Sequence, residues 1–296
     1  MEFLNDALGV NRGVNRGLRD TTLILGFFDG IHKGHREVIS SGIKEGNKTV
    51  VLTFKNSPSE YFGKPTEYIY PREHSYKIME KLGVDYIEEA DFSNIVNIKA
   101  EDYIRLIVDK YSPKCIVTGF NHTFGFNKEG DNSLIKNSEN KYGYKYISCP
   151  PCKDSDKTIS SSYIKELLKK GNISKANELL IEPFEITSTV IKGMQLGRKL
   201  GYPTANMIYP EKVVKLPYGV YKAEALGKPA VLNWGVKPTV DGEKAGLEVH
   251  IIGFEGDLYG KDLTIKILDK IRNEMKFSNL DELKAQIKKD AEVCLK

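Results

Sequence analysis

Regular alternation of strand-like and helix-like segments across residues 21–182 restricts the fold of this chain more than any other feature. β-Branched runs bounded by turn residues, such as TTLILGFF and KTVVLTF, alternate with segments such as PREHSYKIMEKLG that carry apolar residues at helical spacing. Strands that alternate with helices pair in parallel and are covered by helices on both faces. Residues 1–182 are therefore predicted to form an α/β domain with a parallel sheet.

The pattern changes after Pro183, where short alternating segments such as FEITSTVIKG, YGVYKAEAL and GLEVHIIGF follow one another with turns between them. This pattern predicts a small antiparallel β-barrel over residues 183–296. The chain ends in a helical segment that Ser278 or Asn279 can cap. Its apolar face is predicted to consist of Leu280, Leu283, Ile287 and Ala291.

Composition and charge narrow the class of partner. A chain of 296 residues is long enough for two domains, and its net charge of +4 comes from scattered basic residues. This distribution suits an enzyme for anionic metabolites and gives no electrostatic footprint for nucleic acid. No run is long and apolar enough for a membrane helix, and the N-terminus lacks the apolar core of a signal peptide. We expect a cytoplasmic enzyme without a nucleic-acid or membrane partner.

The segment GFFDGIHKGH, residues 26–35, has features suited to nucleotidyl transfer. Gly26 and Gly30 let the backbone approach a phosphate, and the following helix directs its first N–H groups at the anion. His32 and His35 lie about one helical turn apart, so both imidazoles can face one pocket and stabilise charge on the α-phosphoryl group of ATP. The alternative is a surface loop with two incidental histidines.

Two later segments can complete this site. The loop TGFNHTFGFNKEGD, residues 118–131, is rich in glycine and aromatic residues and can hold a flat ring and an adenosine. The alternative is a hairpin of packed phenylalanines. The helix that begins near Ser160 offers Ser161 and Lys165 as a phosphate anchor at its N-terminus, although these serines could also act only as caps.

A second phosphate-handling segment is GMQLGRKLGYPTAN, residues 193–206. No GxxxxGK[ST] motif occurs in the sequence, so a Walker-type phosphate loop is excluded. Gly193 permits close backbone approach, Arg198 supplies positive charge, and Thr204 and Asn206 offer oxygens that suit Mg²⁺.

Glu248 interrupts the otherwise apolar strand GLEVHIIGF. A carboxylate on one side of an alternating strand is either paired structurally or used as a base, and the pattern alone favours neither. Asn233 is a further candidate lining residue. Arg272 and Glu274 could form a surface ion pair.

Taken together, these segments resemble the bacterial bifunctional riboflavin kinase/FMN adenylyltransferase family, the prokaryotic FAD synthetases. The resemblance extends from about residue 22 to 292. Its C-terminal motifs are specific to riboflavin kinases, whereas H-x-G-H alone is shared by several kinds of nucleotidyltransferase. The motifs are GFFDGIHKGH, GFNHTFGFNKEGD, ISSSYIKELL, GMQLGRKLGYPTAN, LPYGVY, NWGVKPT, LEVHIIGFEGDLYGK and IRNEMKFSNLDELKAQIKKD.

The resemblance implies a Rossmann-like nucleotidyltransferase domain at residues 1–182, followed at residues 183–296 by a Greek-key barrel domain with riboflavin kinase activity. It implies two reactions that use ATP and Mg²⁺. Riboflavin is phosphorylated to FMN with release of ADP, and FMN is adenylylated to FAD with release of pyrophosphate.

Motif matches also imply roles for individual residues. In the adenylyltransferase site, His32 and His35 act on the ATP phosphates, and Asn121 and Phe124 line the flavin site. Further ATP contacts in that half fall on Gly26, Phe28, Asp29, Gly34, Ser161 and Lys165.

In the kinase site, the same comparison implies that Glu248 deprotonates the ribityl hydroxyl and that Thr204 and Asn206 bind Mg²⁺. Gly193 and Arg198 contact ATP, and Arg272 lies near the flavin.

The chain departs from the family pattern at several positions of the adenylyltransferase half. Phe27 stands where asparagine is frequent, Lys55 and Asn56 replace part of a T-F-x-P-H-P segment, and Tyr163 and Lys165 are atypical in their helix. Lysine keeps the charge of arginine but loses its bidentate geometry. An alternative function is therefore a riboflavin kinase with a weakened or altered adenylyltransferase domain.

Overall fold

The alternating segments of the first part of the chain fold into one parallel sheet, and the segments after Pro183 close into a barrel. The structure, a computed structural model, describes residues 1–4, 18–193, 197, 200–239 and 242–296. Its two units are residues 1–66 with 72–160, and residues 67–71 with 161–296.

The sheet of the first unit contains six parallel strands in the order β1-β4-β3-β2-β5-β8, and two short hairpins lie outside it. The strands are β1 (Glu2–Leu4), β2 (Thr21–Leu25), β3 (Lys48–Phe54), β4 (Tyr86–Ala90), β5 (Pro113–Gly119), β6 (Thr123–Phe124), β7 (Gly130–Asp131), β8 (Lys145–Cys149), β9 (Lys153–Asp154) and β10 (Lys157–Thr158).

Strand β2 lies at the centre, with β3 on one side and β5 on the other. Leu23, Ile24, Val50 and Val51 are completely buried, as expected for strands covered on both faces. The chain builds outward from β2 through β3 and β4, and then returns to β2 through β5. In such doubly wound sheets, ligands bind outside the carboxyl ends of the strands where the order reverses. Here that point lies between β2 and β5.

The segment PREHSYKIMEKLG forms the helix Arg72–Lys81, as its apolar spacing predicts. In the described part of the first unit the helices are α1 (Lys33–Ile43), α2 (Pro58–Tyr61), α3 (Arg72–Lys81), α4 (Phe92–Ile95), α5 (Ala100–Tyr111), α6 (Asn132–Asn137) and α7 (Glu139–Tyr142), with a 3₁₀ turn at Phe126–Lys128. Helix α5 ends at Ser112, which adopts the left-handed region with φ 43°. The parallel sheet and the helices between its strands confirm the predicted α/β fold of Rossmann-like type.

Six antiparallel strands of the second unit close into a barrel in the order β11-β12-β15-β14-β13-β16. Strands β13, β14 and β15 form a meander, and β16 returns to pair beside β13, which is the Greek-key arrangement. The predicted barrel is therefore confirmed. Its strands are β11 (Glu185–Ile191), β12 (Ala205–Met207), β13 (Gly219–Ala225), β14 (Lys228–Thr239), β15 (Gly242–Ile251) and β16 (Asp262–Arg272).

The barrel interior is filled by every second residue of its strands. Leu247, Val249 and Leu232 are buried, and Trp234 donates its indole N–H to the carbonyl of Leu216 at 2.9 Å. The residues between them, including Glu248, therefore point to the outer face.

Two helices that precede the barrel, α8 (Ser161–Lys169) and α9 (Ile173–Leu179), belong to the second unit. Asn177 donates its amide to the carbonyl of Ile267 at 2.9 Å and accepts the N–H of Phe184 at 2.8 Å. This side chain joins α9 to β16 and to the residue that precedes β11. The division of the two activities between residues 1–182 and 183–296 stays a prediction.

The C-terminal helix, α10 (Leu280–Cys294), is capped by Asn279, whose side chain accepts the N–H of Glu282. Its buried residues are Asp290 and Cys294, whereas Leu280 is 55% exposed. The predicted apolar face was therefore wrong at its first residue. The buried residues lie in the last two turns of the helix, where Asp290 forms an ion pair with Arg272 of β16.

None of the helices in the described part of the chain is long and apolar enough to cross a membrane.

Candidate active sites

The first site begins where β2 ends. The N–H of Gly26 donates to the carbonyl of Leu52 at 3.2 Å, so the chain leaves the sheet one residue after Leu25. Phe28 and Gly30 then adopt positive φ angles of 56° and 58°. A positive φ is rare for a bulky residue and marks a turn that its surroundings must hold.

His32 and His35 are in direct contact at the start of α1. His32 is the N-cap residue, and its Nδ1 accepts the backbone N–H of His35 at 3.2 Å. The two rings are stacked with their centroids 3.6 Å apart. Because an acceptor nitrogen carries no proton, neutral His32 holds its proton on Nε2 and can donate it to a ligand.

Burial keeps both histidines neutral. It lowers the pKa of His32 to about 4. Burial is also the main reason why the pKa of His35 lies well below its ordinary value; His32 and, to a smaller degree, Arg72 lower it further, while the backbone of Gly30 opposes them. The Nδ1 atom of His35 is buried without a hydrogen-bond partner among the described residues. At neutral pH the pair therefore offers hydrogen-bond donors and unused acceptors rather than fixed charge.

The glycines of this motif leave room for aromatic rings. A Cβ at Gly26 would lie 2.8 Å from the ring of Phe28, and one at Gly34 would lie 3.2 Å from the ring of His32. Phe28 and Asp29 are themselves buried. Gly26 thus leaves room for the ring of Phe28 in the turn, and Gly34 leaves room for the ring of His32 in the first turn of α1.

The loop after β5 reaches the same carboxyl edge of the sheet. Asn132 fixes it by donating to the carbonyls of Gly119 and Phe120 at 3.0 and 2.9 Å. Asn121 is exposed, whereas Phe124 is 9% exposed and packs against Tyr103. The structure therefore brings Asn121 to this edge and places Phe124 in the core.

Ser161 and Lys165 lie on α8, which packs with α9 in the second unit. Both are half-buried. Their predicted role as a phosphate anchor stays a prediction.

Arg72 is a residue of this site that sequence reasoning missed. Its guanidinium donates to the carbonyl of Phe27 at 2.7 Å and to that of Phe54 at 3.1 Å. These contacts join residues that are far apart in the chain, and only tertiary structure could reveal them.

The second site lies on the outer face of the barrel. Glu248 of β15 stands directly opposite Asn206 of β12 on one side and Asn233 of β14 on the other. Directly opposite side chains share a face and have Cβ atoms about 5 Å apart. All three are half-buried. The register therefore brings a carboxylate and two amides together.

The loop before β12 packs closely on this row. A Cβ at Gly193 would lie 2.5 Å from the Cγ and Nδ2 atoms of Asn206, and one at Gly197 would lie 3.3 Å from the Oγ1 of Thr204. Gly193 is thus required by the placement of Asn206, whereas Gly197 is required by the carbonyl oxygen of Tyr202, which would lie 2.3 Å from its Cβ. Arg198, predicted to contact ATP, lies outside the described residues.

Arg272 extends the same row, because it pairs with Val220 of β13, and Val220 pairs with Asn233. Its guanidinium donates to Asp290 through Nε at 3.1 Å and Nη2 at 2.8 Å. The possible ion pair with Glu274 is not formed, since Glu274 instead accepts the N–H of Val236 at 3.2 Å.

A cavity of about 370 Å³ opens beside Thr204 and Ala205. Apolar side chains form much of its wall, among them Val190, Ile251 and Phe254. This combination suits a flat apolar ring joined to a polar group.

Comparison with known families assigns the two units separately. A family model described as FAD synthetase matches residues 15–163, and a model described as riboflavin kinase matches residues 180–296. The first range includes His32 and His35, and the second includes Asn206 and Glu248.

Individual relatives match over most of the chain. The bifunctional riboflavin kinase/FMN adenylyltransferase of Escherichia coli K12 is 35% identical over 282 residues, which cover 90% of each chain. The protein of the same name from Bacillus subtilis 168 is 32% identical and covers 93% of this chain and 92% of its own. A crystal structure from Streptococcus pneumoniae, named a macrolide-efflux protein, is 32% identical with a TM-score of 0.84, over 93% of this chain and 94% of that one. The chain belongs to the bifunctional riboflavin kinase/FMN adenylyltransferase family.

Proposed function

We propose that this chain phosphorylates riboflavin to FMN and then adenylylates FMN to FAD, with ATP as the co-substrate of both steps. The observation that carries this proposal is that the FAD synthetase and riboflavin kinase models match separate ranges, each with its own candidate site. The adenylyl step is assigned to the first unit and the kinase step to the barrel.

In the kinase step, Glu248 acts as the general base. It takes the proton from the terminal ribityl hydroxyl as that oxygen attacks the γ-phosphorus of ATP, and ADP leaves. Asn206 and Asn233 stand on either side of it and can orient the carboxylate or the hydroxyl. The cavity beside Thr204 receives the adenosine, because its apolar wall suits the base and its edge includes Thr204 of the predicted phosphate-handling segment.

The oxygen-donor chemistry around Asn206 fits Mg²⁺. Thr204, Asn206 and Glu248 provide hydroxyl, amide and carboxylate oxygens, and Mg²⁺ binds such oxygens together with substrate phosphates and water. Thr204 and Asn206 would hold the ion. When bound, Mg²⁺ neutralises charge on the phosphates of ATP.

In the adenylyl step, the phosphate of FMN attacks the α-phosphorus of ATP and pyrophosphate leaves. The nucleophile is already ionised, so the site needs to stabilise charge rather than remove a proton. Neutral His32 and His35 donate hydrogen bonds to the phosphates, and the N-terminus of α1 adds backbone N–H groups. Gly26, Phe28 and Asp29 form the turn that presents them, and Gly34 lies beside the ring of His32 in the first turn of α1.

The flavin of the adenylyl step is proposed to lie at the loop after β5, beside the exposed Asn121. The exposed rings of this loop are Phe120 and Phe126, at 45% and 44%. They offer more surface for stacking than the buried Phe124. In the kinase step, Arg272 lies at the end of the row that contains Glu248 and is proposed to form the wall of the flavin site at that end of the row.

Lys165 and Ser161 are proposed to contact ATP phosphates.

The proposed location of the enzyme is the cytoplasm, since both steps consume ATP.

Incubation with riboflavin, ATP and Mg²⁺ tests the proposal. Chromatography should show FMN first and FAD after it, with FAD also formed when FMN is supplied directly. FMN without FAD at high enzyme concentration and long times would contradict the adenylyl assignment. Absence of both products would contradict the whole proposal.

A further inference from the structure

Arg72, the first residue of α3, uses its guanidinium to join three segments of the first unit. Nη1 donates to the carbonyl of Phe27 at 2.7 Å. Nη2 donates to the Oγ1 of Thr53 at 2.8 Å and to the carbonyl of Phe54 at 3.1 Å. Arg72 therefore ties the turn after β2 to the end of β3.

The carbonyl of Phe27 is held from two directions, because the hydroxyl of Thr53 also donates to it, at 3.0 Å. This carbonyl belongs to the peptide that precedes Phe28, the residue with a φ of 56°. Bulky residues keep such a conformation only where neighbouring groups fix it. The contacts of Arg72 and Thr53 fix it here.

The guanidinium is itself held in one orientation. It lies over the ring of Phe27 at 4.6 Å and over that of Tyr76 at 5.1 Å, and Nε donates to the hydroxyl of Tyr76 at 3.2 Å. Tyr76 in turn donates to Glu89 of β4. The phenyl ring at position 27, where the family frequently has asparagine, thus provides a face for the guanidinium.

The turn passes this order on to the two histidines. The ring of Phe28 meets the ring of His35 edge to face at 5.1 Å, and His35 stacks on His32. A series of direct contacts therefore runs from Arg72 through Phe27 and Phe28 to the imidazoles.

We propose that Arg72 is a positioning residue for adenylyl transfer, which fixes the Phe27–Phe28 peptide and thereby the placement of His32 and His35 against the ATP phosphates. This inference rests on the proposed adenylyltransferase function. It needs no contact between Arg72 and the substrate.

The positive charge of Arg72 gives this role a second readout. Among the residues that the structure describes, His32 and Arg72 are the titratable or charged groups that act on the pKa of His35, and both lower it. Removal of the charge raises the pKa of His35 toward its ordinary value. Because the neutral form of His35 is the active one in this proposal, the pH at which the rate of FAD formation falls on the acidic side moves to a higher value. Lysine keeps the charge but cannot reproduce the fork of contacts.

The experiment compares Arg72→Met, Arg72→Lys and wild-type protein in FAD formation from FMN and ATP, with FMN formation from riboflavin as the internal control. A misplacement of about 1 Å can cost about 100-fold in rate. Arg72→Met should lower kcat for FAD formation by about 10–100-fold, change KM for ATP less, and shift the acidic limb. Arg72→Lys should lower kcat without that shift. Arg105→Met, which removes an exposed arginine of α5 bound to Asp102, should match wild type in both reactions.

Each result has one meaning. If wild type makes no FAD, the proposed function fails. If wild type makes FAD and Arg72→Met retains its kcat within threefold and its pH profile, the role of Arg72 is overturned. If Arg72→Met does not fold, Arg72→Lys decides: a folded protein with lowered kcat supports the role, and one with the kcat of wild type overturns it.

Discussion

Asn206 of β12 and Glu248 of β15 stand directly opposite each other on the outer face of the barrel. The two residues lie 42 positions apart in the sequence, and the register of two antiparallel strands brings them together. Side chains directly opposite each other on neighbouring strands have Cβ atoms about 5 Å apart. An amide and a carboxylate in this arrangement can share a metal ion or orient a hydroxyl group. This relationship is the basis for the kinase mechanism proposed above.

Replacement of the base should separate the two activities. Glu248→Gln keeps the shape of the side chain but removes the proton acceptor, so FMN formation should fall by about 10²–10⁴-fold. FAD formation from supplied FMN should stay near that of wild type. The control is Glu224→Gln, which alters a barrel carboxylate in a surface ion pair with Lys266 and should leave both rates unchanged. FMN formation within a few-fold of wild type in Glu248→Gln would assign Glu248 a structural role.

A methyl group at position 193 should disturb Asn206 directly. Gly193→Ala places a Cβ 2.5 Å from the amide carbon of Asn206, so that side chain must move. We expect a loss of about 10–100-fold in FMN formation and none in FAD formation from FMN. The double variant Gly193→Ala/Asn206→Ala should be no slower than Asn206→Ala alone, because both changes act on one side chain. Fully additive losses would show that Gly193 acts elsewhere.

The buried pair of Arg272 and Asp290 should support the barrel. Their side chains are 17% and 3% exposed, and removal of one partner from a buried pair typically costs about 3–5 kcal/mol. Asp290→Ala should lower the free energy of unfolding of the second unit by about this amount. The chain's single tryptophan, Trp234, lies in the barrel and reports its urea unfolding by fluorescence. Glu224→Ala, which breaks an exposed pair, should cost less than about 1 kcal/mol. Equal losses in the two variants would contradict a structural role of the buried pair.

The helix pair before the barrel should stabilise it. A fragment of residues 161–296 keeps the hydrogen bonds of Asn177 to Ile267 and Phe184, whereas a fragment of residues 183–296 lacks them. At about 1 kcal/mol for each bond, the longer fragment should be at least about 2 kcal/mol more stable to urea. Both should phosphorylate riboflavin without making FAD. Asn177→Ala in the longer fragment should fall between the two, and identical midpoints for all three would show that the helices do not support the barrel.

Stability of the first unit should depend on pH through His122. Burial lowers the pKa of His122 to about 4, and its Nε2 is buried without a partner in the described part of the chain. Between about pH 6.5 and 4 the unfolded chain binds a proton that the folded chain does not, so stability is full above this window and falls as pH decreases through it. The contribution of His122 is a loss of about 2 kcal/mol at pH 5 relative to pH 8.

The variant His122→Phe should reduce this loss, since phenylalanine keeps the ring that stacks on Phe124 and cannot be protonated. Urea unfolding, followed by far-UV circular dichroism at pH 8 and pH 5, measures the loss of stability. Trp234 fluorescence identifies the transition of the second unit. His250→Phe, on the barrel, should leave the pH dependence of the first unit unchanged. The same slope in His122→Phe and wild type would contradict the assignment.

Local patterns in the sequence were sufficient for the main elements of the fold. Apolar spacing predicted the helix around residues 72–81, and alternation predicted the central strands of the barrel. Strand β12 was missed because Ala205–Met207 lies inside a glycine-rich segment without alternation. The C-terminal helix was found, but Leu280 was placed on its buried face, since hydrophobicity alone cannot anticipate that Asp290 is buried by an ion pair.

Local sequence patterns were sufficient for the order of the elements, for the two glycine-rich motifs and for the family, because these depend on residues close together in the chain. Contacts between residues that are distant in the chain became visible only in the folded structure. Strand register placed Asn206, Glu248 and Asn233 in one row, and packing of α3 brought Arg72 to the carbonyl of Phe27, 45 positions away. Pairing register and side-chain contacts are set by the closing of the sheet and the barrel, and local periodicity contains no information about them.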